Sequence, residues 1–406
     1  MRVLIVHERY RQRGGEDVVV EGETELLARY GVETDLLTAD NAAIDGGGSL
    51  GLAVGALWSR SGYSSTRAAI ARFRPDIVHV HNSFPLLSAS VFDAARSMGV
   101  PVVQTLHNYR LLCPNALLLR DGAPCEACVG QTSKWSGLRH GCYRGSRAAT
   151  AAVAGYALSQ RLGGVHRRGV AVYHALTPFA AGLFARGGIP ADRIAVRPPL
   201  LDYPSARGGA AVGHPAGGPP RAGALFVGRL SPEKGLDTLL SAWRGVDAPL
   251  DIIGDGPDMD RLRGMAPPQV RFLGHKPAAI AAQAMARAAL LVFPSLCYEN
   301  FPLVVAEAMA AGLPALCAGG GAAADVLGEA GDPRLFARPG DAEDWRRKAV
   351  ALLADPDALA SLGAGERDSW ERRLAPDAAF AATLALYRRA LRGLSLSPVP
   401  GQDGRG

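Results

Sequence analysis

Lysine is nearly missing from this chain, with four lysines against 40 arginines, a skew that GC-rich coding produces as readily as selection does. No run of eighteen apolar residues occurs, which excludes an ordinary membrane-spanning helix. Recognisable nucleic-acid modules are missing too, and the basic residues do not gather with interleaved aromatics, so nucleic acid is not an expected partner. The opening Met1-Arg-Val-Leu-Ile-Val-His-Glu8 runs straight into a short apolar strand rather than the charged and apolar regions of a signal peptide. A cytoplasmic protein is expected, working in solution or at the inner face of the plasma membrane.

What is there is ample for folding. With 406 residues and 48% hydrophobic content, the chain can build two domains with full cores. Charge is divided unevenly: residues 1–203 hold 22 cations and 16 acids, the remainder 22 and 22, so the formal +6 belongs to the first half. That half is expected to meet an anionic partner such as a lipid phosphate, an acidic glycan or a membrane surface.

Both halves alternate strand and helix patterns, which predicts an α/β fold of two Rossmann-like, doubly wound parallel sheets. Strands are expected at Val3–Val6, Glu33–Leu37, Ile77–Val80, Val100–Thr105, Val170–Ala175 and Arg193–Val196, with helices at Val19–Tyr30 and Ser64–Phe73 among them. The second half supplies Ala224–Val227, Leu250–Ile253, Val270–Leu273, Ala289–Phe293 and Pro314–Cys317. A Gly/Pro/Ala stretch without periodicity, 204–221, reads as the linker between a first domain at 1–203 and a second at 222–375. A last helix at 376–395 is expected to pack back on the first domain, Gly46-Gly-Gly48 to form a mobile surface loop, and the tail 396–406 to be disordered. Ligands of such folds bind at the carboxyl ends of the strands, here in the cleft between the domains.

Three segments at those strand ends carry the chemistry. In Pro294-Ser-Leu-Cys-Tyr-Glu-Asn-Phe-Pro-Leu-Val-Val-Ala-Glu-Ala-Met-Ala-Ala-Gly312, Glu299 falls in a loop after a strand and Glu307 in the helix that follows. A helix starting near Pro302 and Leu303 aims its free N–H groups at that loop, and carboxylates so placed can accept hydrogen bonds from the vicinal diols of sugars. Upstream, Gly228-Arg-Leu-Ser-Pro-Glu-Lys-Gly235 sets Arg229 and Lys234 beside a helix start, which suits a diphosphate. Gly254 and Gly256, in Ile252-Ile-Gly-Asp-Gly-Pro257, let a flat ring approach the backbone, and His275 in Phe272-Leu-Gly-His-Lys276 ends another strand near the same pocket. Each also has a plain reading as a turn or a solvated charge.

Together these segments resemble the retaining glycosyltransferases of family 4, over nearly the whole chain. The resemblance implies the GT-B architecture, in which the first domain binds the acceptor and the second the nucleotide-sugar donor across a cleft. It implies that Arg229 and Lys234 hold the donor diphosphate, Glu307 the ribose hydroxyls, and Glu299 with Asn300, Phe301, Pro302 and Leu303 the transferred sugar. Gly14 and Gly15 match the family's glycine-rich loop, and His107 in Thr105-Leu-His-Asn-Tyr-Arg110 its histidine beside the sugar. A front-face substitution without a catalytic metal is the implied mechanism, with His107, Glu299, Arg229 and Lys234 at its centre and a glycan, lipid-linked or small molecule as acceptor. Two features depart from the pattern: Cys297 stands where an aromatic residue is common, and the run Ala318–Val326 lacks the usual acidic segment, with Asp325 as the candidate substitute. An epimerase or phosphorylase of the same fold, or a non-catalytic scaffold binding nucleotide sugars, are the alternative readings.

Four of the six cysteines, Cys113, Cys125, Cys128 and Cys142, cluster as C-x11-C-x2-C-x13-C in an insert at about 108–147. A tetrahedral structural Zn²⁺ is the preferred reading in a reducing compartment, with an iron–sulfur cluster or packed free thiols as alternatives. Trp135, Arg139, Arg144 and Arg147 precede an alanine-rich helix from Ala148 to Leu162, followed by His166-Arg-Arg168, a stretch that can lie on an anionic membrane or pack as an ordinary helix.

Overall fold

The computed structural model describes residues 1–10, 13–41, 55–207 and 220–394. Gly46–Gly48, most of the linker and the tail 396–406 fall outside them. The first half holds β1 (Arg2–Arg9), β2 (Glu33–Asp40), β3 (Ile77–Asn82) and β4 (Val102–Thr105), then a hairpin of β5 (Leu119–Arg120) and β6 (Ala123–Pro124), then β7 (Val172–Ala175) and β8 (Ile194–Val196). The second holds β9 (Ala224–Val227), β10 (Leu250–Ile253), β11 (Val270–Gly274), β12 (Leu290–Phe293), β13 (Ala315–Ala318) and β14 (Phe336–Ala337).

Two six-stranded parallel sheets result, in the orders β2-β1-β3-β4-β7-β8 and β11-β10-β9-β12-β13-β14. Helices cover both faces, which is why strands such as Val3–Val6 are continuous apolar runs with no exposure. In each sheet the strand order reverses once, between β1 and β3 and between β9 and β12. Crevices at the carboxyl ends of strands open at such reversals. Gly14 follows β1, Gly228 follows β9 and Glu299 follows β12, so the candidate loops leave from these two places.

Local chemistry moves several boundaries. The first helix runs Gly15–Arg29 rather than from Val19, because the Asp17 carboxylate takes the Gly14 N–H at 2.8 Å and Glu16 with Asp17 places negative charge at the helix start. The next begins at Arg60 rather than Ser64, capped by Ser59, whose Oγ accepts the Gly62 N–H at 3.1 Å. The linker opens on a helical turn, Pro204–Arg207, in which Ser205 Oγ donates to the Glu307 carbonyl at 2.8 Å.

The halves also share packing. Val19, Leu201 and Tyr203 join the core built on Leu291 and Phe293 of the second sheet and Val305 of the helix that follows β12. In return the last helix, Pro376–Leu394, leaves the second domain and lays Ala379, Leu386, Tyr387 and Ala390 against Val3, Ile5 and Ile77.

Candidate active site

Lys234 ends a short turn, Pro232–Lys234, and Gly235 follows with φ of 71°. A Cβ on Gly235 would lie 2.1 Å from the Pro294 carbonyl oxygen, so only glycine lets the loop after β9 press on the loop after β12. Lys234 Nζ donates to Glu299 Oε1 at 2.7 Å, and Ser295 Oγ donates to the same oxygen at 2.7 Å. The two charged side chains are 22% and 19% exposed. Burial pulls the lysine's pKa down but the adjacent Glu299 carboxylate outweighs it, giving a net rise; burial pushes Glu299 up, but Lys234 and Ser295 bring it below the ordinary carboxylate value. Both are charged at neutral pH and locked on one another.

Around this lock stand groups with nothing attached. Arg229 is exposed and makes no hydrogen bond or ion pair among the described residues. Glu307 lies on the inner part of the helix Leu303–Ala310, which Pro302 opens, and its carboxyl has no hydrogen-bond partner among the described residues. Burial raises its pKa to about 7. A cavity of about 310 Å³ adjoins Glu299, lined by Phe179, Ser295, Cys297, Gly320 and Pro339 among others.

The first domain holds the Glu299 loop from the other side. Tyr109 Oη donates to the Glu299 carbonyl at 3.1 Å, Asn300 Nδ2 to the Leu106 carbonyl at 2.8 Å, and Thr177 Oγ1 to the Asn300 carbonyl at 3.3 Å. His107 directly follows Leu106, whose carbonyl Asn300 holds. Burial, only partly opposed by Glu16, lowers its pKa to about 4, so it is a neutral imidazole. The neighbouring Asn108 donates to Glu16 Oε1 at 2.7 Å, tying His107's segment to the first turn after Gly14 and Gly15. A Cβ on Gly15 would stand 3.5 Å from Leu303 Cδ1, so the glycine loop reaches the start of the helix carrying Glu307.

Three further candidates stand as follows. Gly254, at φ of 149°, and Gly256 do not leave room for a ring at their own Cα positions: a Cβ on either would fall 1.8 Å from the Gly228 carbonyl oxygen or 2.2 Å from that of Leu230. These glycines seat the neighbouring loop that carries Arg229. Asp325 is engaged elsewhere, its Oδ2 taking the Phe179 N–H at 2.5 Å at the start of the helix Pro178–Arg186. His275 is exposed at the end of the edge strand β11 and makes no hydrogen bond among the described residues.

The insert borders the site through Pro124, which lines the cavity, and through Glu126, paired with Arg186 at 2.5 Å. All four of its cysteines are free thiols. Cys113 Sγ donates to Asn115 Oδ1 at 2.9 Å and Cys128 Sγ accepts the Gly137 N–H at 3.2 Å. Among the described residues no three of these sulfurs lie within 4.8 Å of one another, so the thiols as placed do not form a closed coordination sphere.

Ser295, Tyr109 and Thr177 were not singled out from the sequence, since each bonds a partner far along the chain and carries no local pattern. His81, bonded to His107, had a faint signal in His79-Val-His81, two histidines on one side of an apolar strand.

Two family models match, one per domain: the glycosyl transferase 4-like domain over residues 14–199 and glycosyl transferases group 1 over 221–355. The chain belongs to the family-4-like glycosyltransferases. Its GT-B fold is shared with a solved structure of Anabaena HepE in complex with UDP and glucose, at a TM-score of 0.64 and 16% identity, covering 97% of this chain and 99% of that one. Among curated glycosyltransferases, the sulfoquinovosyl transferase SQD2 of Arabidopsis thaliana is 36% identical over 155 residues, 36% of this chain and 30% of that protein. A GDP-mannose-dependent alpha-mannosyltransferase of Mycolicibacterium smegmatis is 30% identical over 262 residues, 63% of this chain and 59% of that protein. The chain thus spans roughly a third to three fifths of these curated relatives. Among the described residues no helix is long and apolar enough to cross a membrane.

Proposed function

We propose that this protein moves a hexose from a nucleotide-sugar donor to a glycan, lipid-linked or small-molecule acceptor, with retention at the anomeric carbon. The observation that carries this reading is the Lys234–Glu299–Ser295 lock, flanked by the free Arg229 and the unpartnered Glu307, at the strand reversal of the second sheet. A donor diphosphate takes Lys234 and Arg229 and so frees Glu299 for the hydroxyls of the transferred sugar. Glu307 accepts the ribose diol. The two cations and the N–H groups at Leu303 stabilise the leaving diphosphate, which makes a metal unnecessary at the reacting centre. Neither glutamate serves as nucleophile, and the departing phosphate oxygen takes the acceptor's proton in a front-face substitution. The mannose and glucose named for the relatives favour a hexose.

An anionic acceptor, or one presented at the inner face of the plasma membrane, is favoured by the first domain's +6 and by the exposed Trp135 and Leu162 on its arginine-bearing stretch. For the insert we carry a structural Zn²⁺ on Cys113, Cys125, Cys128 and Cys142 as part of the same reading. Its support is the concentration of left-handed, non-glycine residues there: Ala116, Leu118, Asp121, Lys134 and Arg144 all have φ between 50° and 65° in a segment whose only sheet is a two-residue hairpin. Binding requires the sulfurs to draw inward from their present positions.

Thermal shift against UDP-, GDP-, ADP- and dTDP-sugars, followed by transfer assays with the stabilising donor, tests the reading. Stabilisation by one donor and transfer with retention support it. Release of an epimer or a sugar phosphate makes the protein an epimerase or phosphorylase, and stabilisation without turnover makes it a binding scaffold. A panel that neither stabilises nor reacts removes the nucleotide-sugar site.

A further inference from the structure

Strand β3 interrupts its apolar run with His79 and His81, two residues apart and so on one face of the sheet. Both are buried, with ring centroids 4.2 Å apart. His79 engages both nitrogens, Nδ1 with the Tyr387 hydroxyl at 2.9 Å and Nε2 with Thr105 Oγ1 at 2.8 Å. His81 differs. Its Nδ1 meets Nε2 of His107 at 2.8 Å, the rings inclined by only 24°. Its Nε2 is buried with no partner among the described residues, and so is Oε2 of Glu23. The other oxygen of Glu23 takes Arg197 Nη2 at 2.8 Å.

Glu23, His79 and His81 offer ligand atoms within 4.8 Å of one another. One bridging water suits the two unpartnered atoms. A cation suits the place less well, since His79 would have to release Tyr387 or Thr105, and Glu23 already faces a guanidinium.

We propose that His81 is the positioning residue of His107, and that the buried Glu23–Arg197 pair beneath it sets the proton order so that His107 offers a bare Nδ1 to a sugar hydroxyl. The order follows from the donors available. Burial pushes the Glu23 pKa up and the Arg197 guanidinium opposes it; the bond that Arg197 donates to Oε1 favours the carboxylate form, which only accepts. An N–H turned toward a carboxylate is attracted and a lone pair repelled, which puts the proton of His81 on Nε2. Its Nδ1 then accepts the Nε2–H of His107. Burial keeps both imidazoles neutral, so His107 has no second proton to place. Its Nδ1 has no partner among the described residues and is left to accept from a hydroxyl.

The role toward a sugar rests on the glycosyl-transfer reading, whereas the proton order does not. Long-range ¹H–¹⁵N NMR of the histidine rings in the whole protein at pH 7 is expected to show His81 and His107 each as a single Nε2–H tautomer, and His107 as a mixture in His81→Phe. In transfer assays His81→Phe is expected to lower kcat roughly 10- to 100-fold, the range for a misplaced catalytic contact, with little change in the donor's KM. His81→Asn, whose Oδ1 stands near the lost Nδ1, is expected to recover part of it. A wild-type His107 protonated on Nδ1, or a His107 tautomer unaltered by His81→Phe, overturns the proposal. The NMR result decides the proton order even where no donor is turned over, so a wrong activity and a wrong relay give different outcomes.

Discussion

Glu307 holds its proton longer than a solvent-exposed carboxyl does, because burial raises its pKa from 4.5 to about 7 and no described side chain compensates. Between those values the folded chain binds a proton that the unfolded chain has lost. Stability therefore falls as pH rises through that window and levels off above 7. Glu307→Gln removes the ionisation, so its melting temperature is expected to exceed the wild type's by a few degrees at pH 8 and to match it near pH 4. Scanning fluorimetry at the two pH values decides this, and an equal change at both would tell against a buried carboxyl. The position is the kind that function retains at a cost in stability. Sequence made Glu299, Glu307, Arg229 and Lys234 candidates through their spacing and type. It did not show that Lys234 and Glu299 neutralise one another, because 65 residues separate them and only the packing of Gly235 on Pro294 brings them together.

Elements were legible where periodicity is strong and less so at their ends. The strands stood out as buried apolar runs, whereas the helix starts at Gly15 and Arg60 depend on caps by Asp17 and Ser59 that hydrophobic pattern does not see. Gly254 and Gly256 were visible as special positions, but the backbone of Gly228 and Leu230 that they admit was not, since it belongs to another loop. The insert is the least self-sufficient element. Its apolar residues Leu112, Cys113 and Leu118 are buried in the first domain's core rather than in one of its own. A bound Zn²⁺ would hold its left-handed turns, and metal analysis of protein purified without added zinc is expected to find about one equivalent, released on replacing Cys125 and Cys128 by serine. Less than about half an equivalent in the unaltered protein would leave the turns to hydrogen bonds such as Lys134 Nζ to the Cys128 carbonyl at 3.0 Å.

At the scale of the molecule, the two-sheet architecture was readable from the alternation of strands and helices, but the cross-bracing was not. Asn300 and Leu106 are 194 positions apart, and Tyr387 is 308 positions from the His79 nitrogen it meets. Removing the chain beyond Ala375 strips Ala379, Leu386, Tyr387 and Ala390 from a core that includes Val3 and Ile5. Calorimetry of that shortened chain is expected to split unfolding into two transitions, with the first domain melting earlier and the second near its original temperature. A single transition at the original temperature would deny the helix its part in the first domain.

That helix also bears on the order of synthesis. The domain encoded first waits for Tyr387 before His79 and the β1 side of its sheet are covered, whereas the strands and helices around Leu291 and Trp243 are all made before residue 376. On the ribosome the second domain can finish first, and the first half emerges with one apolar face open until residues 379–390 have been made.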